Sequence, residues 1–128
     1  MISSSHRFHG HNSLTYVHRN GVVVRSRGLS LKYVSNSRRD TYRAAVIVSK
    51  KVHKSAVVRN RIRRRIYELI RLHVDEKKPI DLVLQVFDEN LASLSSNELL
   101  RSVVELFAKA KLLRTNQEKT NRDTLLER

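Results

Sequence analysis

One segment of the chain combines a high positive charge with the periodicity of a packed helix. Residues 50–71 contain nine lysines and arginines but a single acid, Glu68. Other positions of the segment, together with His73 just after it, form a stripe that recurs every three or four residues, on one side of a helix of 3.6 residues per turn. The stripe consists of Val58, Ile62, Ile66, Leu69, Ile70 and His73. We therefore predict a helix over residues 56–73, opened by Ser55 as its N-cap, with one side packed on a core.

The opposite side of this predicted helix carries basic and polar groups. Asn60, Arg63, Arg64, Tyr67 and Arg71 gather there, because successive residues turn by about 100° around a helix. A solvated helix surface normally mixes charges of both signs at i, i+4 spacing, and this surface has almost no acid. Repulsion between the like charges destabilises this helix surface when no anion is bound to it. The pattern therefore indicates a surface that binds a polyanion.

The charge of the whole chain is distributed unevenly between its two halves. The 128 residues have a formal net charge of +14. Residues 1–74 contain 17 lysines and arginines and two acids, a balance of +15, whereas residues 75–128 contain 9 and 10, a balance of −1. Such an excess favours association with nucleic acid or with an anionic membrane. We expect one half to bind the partner and the other half to act as scaffold.

Sequence signals for a membrane or for secretion are absent. No segment approaches the roughly 20 consecutive apolar residues of a spanning helix. Residues 1–13 are rich in serine and histidine and lack the apolar centre of a secretory signal. There is no cysteine, which excludes both disulfides and thiolate metal sites. We expect a cytoplasmic protein without membrane contact.

The rest of the chain predicts one domain over residues 1–113 with the element order αβββαβα, followed by a polar tail over residues 114–128. The predicted elements are a helix over residues 13–20 ended by Gly21, strands at 22–24, 29–34 and 42–48, the basic helix, a strand at 80–87, and a last helix opened by Ser95 or Ser96. The polar turn 35–41 predicts an antiparallel hairpin between the second and third strands. Phe87 and Phe107 are expected in the core.

The residues offer little equipment for catalysis by this chain. Two-metal hydrolysis of a phosphodiester needs clustered carboxylates, and the basic half has only Asp40 and Glu68. The histidines at positions 6, 9 and 11 lack a cysteine or a nearby acid to complete a metal shell. We interpret His53 as a loop residue that contacts phosphate or water, and not as a general base. The sequence therefore predicts a protein that binds polyanions, with no catalytic residue and no metal site of its own.

The basic helix also carries a specific spacing. Lys51, Ala56, Arg59-Asn60 and Arg63-Arg64 stand in an order that strongly resembles the "RNR" signature of the protein subunit of bacterial ribonuclease P. The resemblance extends more weakly over most of the chain. Arg7-Phe8 resembles the family's Arg-Leu before its first helix, Gly21 the glycine that ends that helix, and Arg27 with Leu29 and Leu31 its central strand.

The resemblance implies a fold and a division of labour. The fold would be α+β, a two-layer α/β sandwich with a four-stranded mixed sheet and a left-handed βαβ crossover through the basic helix, against the right-handed default. The RNA subunit of ribonuclease P would supply the active site and use Mg²⁺ to cut precursor tRNA at its mature 5′ end. The chain would be the protein component of that endoribonuclease, a monomer bound 1:1 to the RNA, and would also hold the single-stranded 5′ leader in a cleft between the first helix and the sheet.

Two sets of residues follow as candidate sites. The surface for the RNA subunit is Lys50, Lys51, Lys54, Arg59, Asn60, Arg63, Arg64, Tyr67 and Arg71. The leader cleft is Leu14, His18, Arg27, Leu29, Leu31 and Tyr33. Tyr33 and Tyr16 could stack on unpaired bases or belong to the core or its rim.

Two features depart from the family pattern. The signature normally ends in a basic residue where this chain has Tyr67, and Arg71 one turn later could substitute. The family's first helix usually carries two phenylalanines in the cleft, and here they align with Leu14 and His18. We therefore expect weaker base stacking from this helix.

Two other functions remain as alternatives to a ribonuclease P protein. One is a ribosomal or generic nucleic-acid-binding protein, and the other is a nuclease that acts alone.

Overall fold

The computed structural model describes His6, Phe8 and residues 11–113. The predicted tail over residues 114–128, Arg7 and His9 lie outside the described residues. The elements are α1 (His11–Asn20), β1 (Val22–Ser26), β2 (Leu29–Ser35), β3 (Arg43–Val48), α2 (Ala56–His73), β4 (Ile80–Val86), a short 3-10 helix (Glu89–Ala92) and α3 (Ser96–Lys109). The predicted order αβββαβα and the α+β class are confirmed.

The four strands form one mixed sheet in the order β1-β2-β4-β3. The pairs β1–β2 and β2–β4 are antiparallel, and β3 runs parallel to β4. The predicted hairpin between β2 and β3 is wrong, because β4 lies between these strands and pairs with both. The hairpin that forms instead joins β1 to β2 through Arg27 and Gly28, where Gly28 adopts a φ of +73° that glycine tolerates best.

Helices α2 and α3 cover one face of the sheet and enclose the main core. The strand residues that face them are Leu29, Leu31, Ala44, Val46, Val48, Leu82, Leu84 and Val86, all buried. Helix α2 contributes Ile62, Ile66 and Ile70, and α3 contributes Phe107, which has no exposed surface, as expected. Phe87 is not in this core. Its side chain is 59% exposed, because it follows the core-facing Val86 by one residue and so points to the opposite face of the sheet.

Helix α1 lies on the opposite face of the sheet, against β2 and β4. Val17 on α1 and Val83 on β4 are buried between them. Gly21 ends the helix where the chain passes close to β2. A Cβ at Gly21 would lie 2.6 Å from the carbonyl oxygen of Val17 and 3.2 Å from that of Tyr33. The glycine is therefore needed for close approach, and α1 leaves part of this face uncovered.

Candidate RNA-binding surface

Helix α2 has the predicted bounds, and its cap and stripe hold it in place. The Ser55 hydroxyl accepts a hydrogen bond of 3.4 Å from the backbone N–H of Val58. The loop before it, residues 49–55, is anchored by the buried side chain of Val52. Lys50, Lys51 and Lys54 of this loop are exposed. A rigid helix and an anchored loop thus present their basic groups to solvent together.

The outward side of α2 forms a shallow pocket lined by basic residues. It has a volume of about 420 Å³ and is lined by Val57, Asn60, Arg63, Arg64 and Tyr67. Asn60 and Arg64 are exposed, and the Arg63 guanidinium donates to the Asn60 side-chain oxygen. Val57 is 66% exposed and gives the pocket an apolar part. The arrangement can bind phosphates through its arginines and cover the apolar face of a sugar or base.

Arg59, predicted as part of the surface for the RNA subunit, also organises the loop before α2. Its guanidinium donates to the backbone carbonyl oxygens of His53, at 2.8 Å, and of Lys54, at 3.0 Å. The backbone N–H of Ser55 also donates to the ring Nδ1 of His53, at 3.0 Å. Arg59 therefore fixes the shape of the loop that carries the lysines. Sequence reasoning missed this role, because the carbonyl partners have no signature in the sequence.

Another arginine of α2 is structural. The Arg65 guanidinium donates to the carbonyl oxygens of Leu91, at 3.2 Å, and of Leu94, at 2.7 Å. These bonds tie α2 to the segment before α3. Arg65 accordingly points away from the outward side, and the basic residues of the segment divide into a structural group and a group that faces solvent.

The structure corrects the expected placement of Tyr67. Its ring is half-buried against the main core, and its hydroxyl accepts a hydrogen bond of 3.1 Å from the backbone N–H of Val46 on β3. The residue therefore borders the pocket without pointing freely at solvent. Arg71 is exposed and donates to the carboxylate of Glu68. This hydrogen bond lowers the pKa of Glu68 and raises the pKa of Arg71.

The predicted leader cleft mixed the two faces of β2. Leu29 and Leu31 are 2% and 0% exposed and face α2 and α3. Tyr33 packs on the same core, because alternate residues of a strand point to the same face. Placing these three side chains in a cleft beside α1 is therefore wrong. Arg27 lies at the β1–β2 turn, away from α1.

The face beside α1 is formed by the intervening residues. From the register these are Arg25 on β1, Ser30 and Lys32 on β2, and Gln85 on β4. His18 does reach this face: its ring Nδ1 lies 3.5 Å from the Lys32 ammonium. Leu14 is half-buried on the same helix. Sequence reasoning missed Lys32 and Gln85, although alternation along β2 for Lys32, and along β4 for Gln85, contained the signal once one face of the sheet was known.

A buried ion pair closes one end of this face. The Arg43 guanidinium donates to both carboxylate oxygens of Asp81, at 2.9 and 2.8 Å, and Asp81 is 4% exposed. The side-chain amide of Asn36 donates to the same carboxylate at 3.0 Å. The hydrogen bonds to Asp81 raise the pKa of Arg43. Tyr16 of α1 lines a pocket of about 580 Å³ with these three residues, so α1 covers this end.

Two searches of the described residues concern metals and membranes. Within the part of the chain that the structure describes, no three His, Asp or Glu side chains come together as a metal site would require. Among the same residues, no helix has both the length and the apolar character to cross a membrane.

Comparison with known proteins decides the family. A family model described as Ribonuclease P matches residues 2–111. The chain belongs to the ribonuclease P protein family. A member of this family is the protein part of the ribonuclease P ribonucleoprotein, an endoribonuclease, and works with ribonuclease P RNA. The resemblance drawn from the signature is thereby confirmed, and the alternative of a ribosomal or generic nucleic-acid-binding protein is set aside.

Individual relatives agree with this assignment. The ribonuclease P protein component of Nitrosomonas europaea is 38% identical over 92 residues, which cover 72% of this chain and 76% of that protein. The component from a Pseudanabaena species is 32% identical over 117 residues, covering 91% of this chain and all 100% of the relative. The fold is similar to that of the Staphylococcus aureus RNase P protein, with a TM-score of 0.74, 21% identity, and coverage of 85% of this chain and 98% of the other.

Proposed function

We propose that the outward side of α2 and the lysines of the 49–55 loop bind the catalytic RNA of ribonuclease P, and that the chain thereby assists 5′ maturation of precursor tRNA. The observation that carries this proposal is the grouping of exposed Arg64, Asn60, Lys50, Lys51 and Lys54 on one rigid surface. Positive side chains that contact phosphates release counterions, which gives affinity without sequence readout. The complex would contain one protein per RNA and act in the cytoplasm.

The 5′ leader of precursor tRNA is the second ligand in this proposal. It would lie on the sheet face beside α1, with Lys32 and His18 near its phosphates. His18 stands on α1 where the family pattern has a phenylalanine. The Lys32 ammonium lies 3.5 Å from the His18 ring, so this position has a positive charge beside it. Mg²⁺ is assigned to the RNA subunit, since no three His, Asp or Glu side chains among the described residues come together as a metal site would require. The chain itself then positions RNA and performs no bond cleavage.

A reconstitution experiment tests this division of labour. Purified protein with precursor tRNA and Mg²⁺ should leave the substrate intact, whereas protein added to its cognate RNA should raise the cleavage rate at low Mg²⁺. The protein's positive charge reduces RNA–RNA repulsion that Mg²⁺ would otherwise screen, so excess Mg²⁺ should partly replace it. Cleavage by RNA-free protein would overturn the proposal. So would a cleavage rate at low Mg²⁺ that is unaffected by the protein.

A further inference from the structure

An exposed aromatic ring stands on a fixed backbone at the end of β4. Phe87 is 59% exposed, so most of its apolar side chain is open to solvent. Its backbone N–H donates a hydrogen bond of 2.7 Å to the carbonyl oxygen of Gly28. The next residue, Asp88, packs closely on Gly28. A Cβ added to Gly28 would lie 2.5 Å from the Cβ of Asp88. The ring is therefore presented to solvent by a backbone with little freedom.

The sheet register places this ring between two basic groups of residues. Val86 pairs with Leu29 on one side and with Val48 on the other. The chain after Val48 becomes the loop with Lys50 and Lys51, and the chain before Leu29 is the β1–β2 turn. Neighbouring strands lie about 4.8 Å apart, so loop, ring and turn leave the same edge of the sheet as near neighbours.

The turn side of the ring is a solvent-open basic pocket. It has a volume of about 560 Å³ and is lined by Arg25, Ser26, Arg27, Gly28, Leu29 and Phe87. The side chains of Arg25 and Arg27 are exposed. Cations beside an exposed aromatic ring are the combination that binds single-stranded nucleic acid, because arginines neutralise phosphates and every base can stack on a ring.

The ring also continues the uncovered part of the face beside α1. Phe87 follows Gln85 by two residues, so the alternation of β4 directs it to that face. Helix α1 covers the other end, where Tyr16 lies near Asp81 and Asn36. The helix carries Leu14 and His18 where the family pattern has aromatic residues. Phe87 is thus an aromatic group at the end of the face that α1 leaves open.

We propose that Phe87 is a stacking platform for an unpaired base of the precursor tRNA 5′ leader, and that Arg25 and Arg27 contact the adjacent phosphates. This inference rests on the proposed function, specifically on a leader that lies on the face beside α1. It assigns to the end of β4 a stacking contact in addition to the weaker stacking expected from α1, which has Leu14 and His18 in place of the family's phenylalanines. The alternative occupant of the ring is the catalytic RNA, which the experiment below separates from the leader.

The test measures binding of precursor tRNA to the assembled ribonucleoprotein, with Ca²⁺ in place of Mg²⁺ to suppress cleavage. Substrates would carry a long leader, a long leader with single abasic positions, or no leader. Phe87→Ala should weaken binding of the long-leader substrate about tenfold, the scale of one lost stacking contact, and leave the leaderless substrate unchanged. Phe87→Trp should restore affinity. One abasic position should weaken the wild type and have no further effect on Phe87→Ala.

The matched control is Val22→Ala. Val22 is 57% exposed, close to the exposure of Phe87, but pairs with Tyr33 and so faces the other side of the sheet. It should bind all substrates like wild type, and thermal unfolding should show that Phe87→Ala remains folded. Equal weakening of leaderless substrate, or weaker binding of the RNA subunit, would overturn the inference in favour of contact with the RNA. Unchanged binding in Phe87→Ala would also overturn it. If the wild type bound the long-leader substrate no more tightly than the leaderless substrate, the proposed leader function itself would be wrong.

Discussion

The Tyr67 hydroxyl accepts a hydrogen bond of 3.1 Å from the backbone N–H of Val46. Val46 lies on β3, which is an edge strand that pairs only with β4. An unpaired N–H at a partly buried sheet edge costs free energy, and the bond from α2 satisfies it. The residue that departs from the family's basic signature therefore links α2 to the sheet.

Replacement of Tyr67 by phenylalanine should lower stability with little effect on RNA binding. The change removes the acceptor for the Val46 N–H and keeps the ring, so the free energy of unfolding should fall by about 1–2 kcal/mol. Denaturant unfolding measures this loss, and a salt titration against the cognate RNA measures binding. Tyr67→Arg should lose the same bond and some ring packing. If Tyr67→Phe weakened RNA binding at unchanged stability, the hydroxyl would be an RNA contact instead.

Arg64 should contribute to RNA binding and not to the fold. It is exposed on the outward side of α2 and lines the basic pocket. Arg64→Ala should weaken binding of the RNA subunit and reduce the slope of log affinity against log salt by about one counterion. Its unfolding midpoint should stay at the wild-type value. Arg101→Ala on α3, which removes an equally charged exposed residue, is the control, and equal behaviour of the two variants would contradict the proposed surface.

Arg65→Ala should lower stability and leave RNA binding unchanged, which is the opposite of the result expected for Arg64→Ala. Two backbone carbonyls, of Leu91 and Leu94, lose a charged donor, and such bonds are typically worth about 1.5–3 kcal/mol. The free energy of unfolding should fall, while the salt slope of RNA binding stays unchanged. A reduced salt slope with unchanged stability would show that Arg65 faces the RNA.

Arg59 should affect both properties, because it holds the loop that carries the lysines. Arg59→Ala removes donors to the carbonyls of His53 and Lys54. We expect faster amide hydrogen exchange in residues 49–55, a loss of about 1–3 kcal/mol in stability, and weaker RNA binding. Arg59→Lys keeps the charge but cannot reproduce both bonds in the same geometry, so exchange should remain fast. Unchanged exchange in both variants would show that the loop does not depend on Arg59.

The Arg43–Asp81 pair should be costly to break from one side. Arg43→Ala leaves the Asp81 carboxylate, 4% exposed, without its bidentate partner, and such a change typically costs about 3–5 kcal/mol. The double variant Arg43→Met, Asp81→Leu should recover much of this loss. Because the pKa of Arg43 is raised, its contribution is complete below its unfolded-state pKa and is lost only as pH rises through the higher folded value. The Arg43 contribution should therefore be constant between about pH 6 and pH 9. Equal stability of Arg43→Ala and wild type would show that the pair is not structural.

The amino-acid sequence by itself determined the helices and the character of the basic surface. The bounds of α2 follow from the Ser55 cap and from a stripe with a 3.6-residue period, both of which depend on neighbours within a few residues. The outward placement of Asn60 and Arg64 follows from the same geometry. The spacing of Lys51, Ala56, Arg59 and Asn60 was enough to indicate the family, because it combines a loop and a helix at one fixed offset.

Only the tertiary structure decided which partners meet across the sheet. The sequence neighbours β2 and β3 are separated by β4, and no local signal specifies that insertion. The pairing then decides which side of β2 faces α1, and a difference of one residue exchanges Leu31 for Lys32 on that face. The partners of Arg59, Arg65 and Tyr67 are backbone groups, which every residue has, so the sequence does not distinguish them. Phe87 is exposed because it follows the core-facing Val86 by one residue and so points to the opposite face of the sheet.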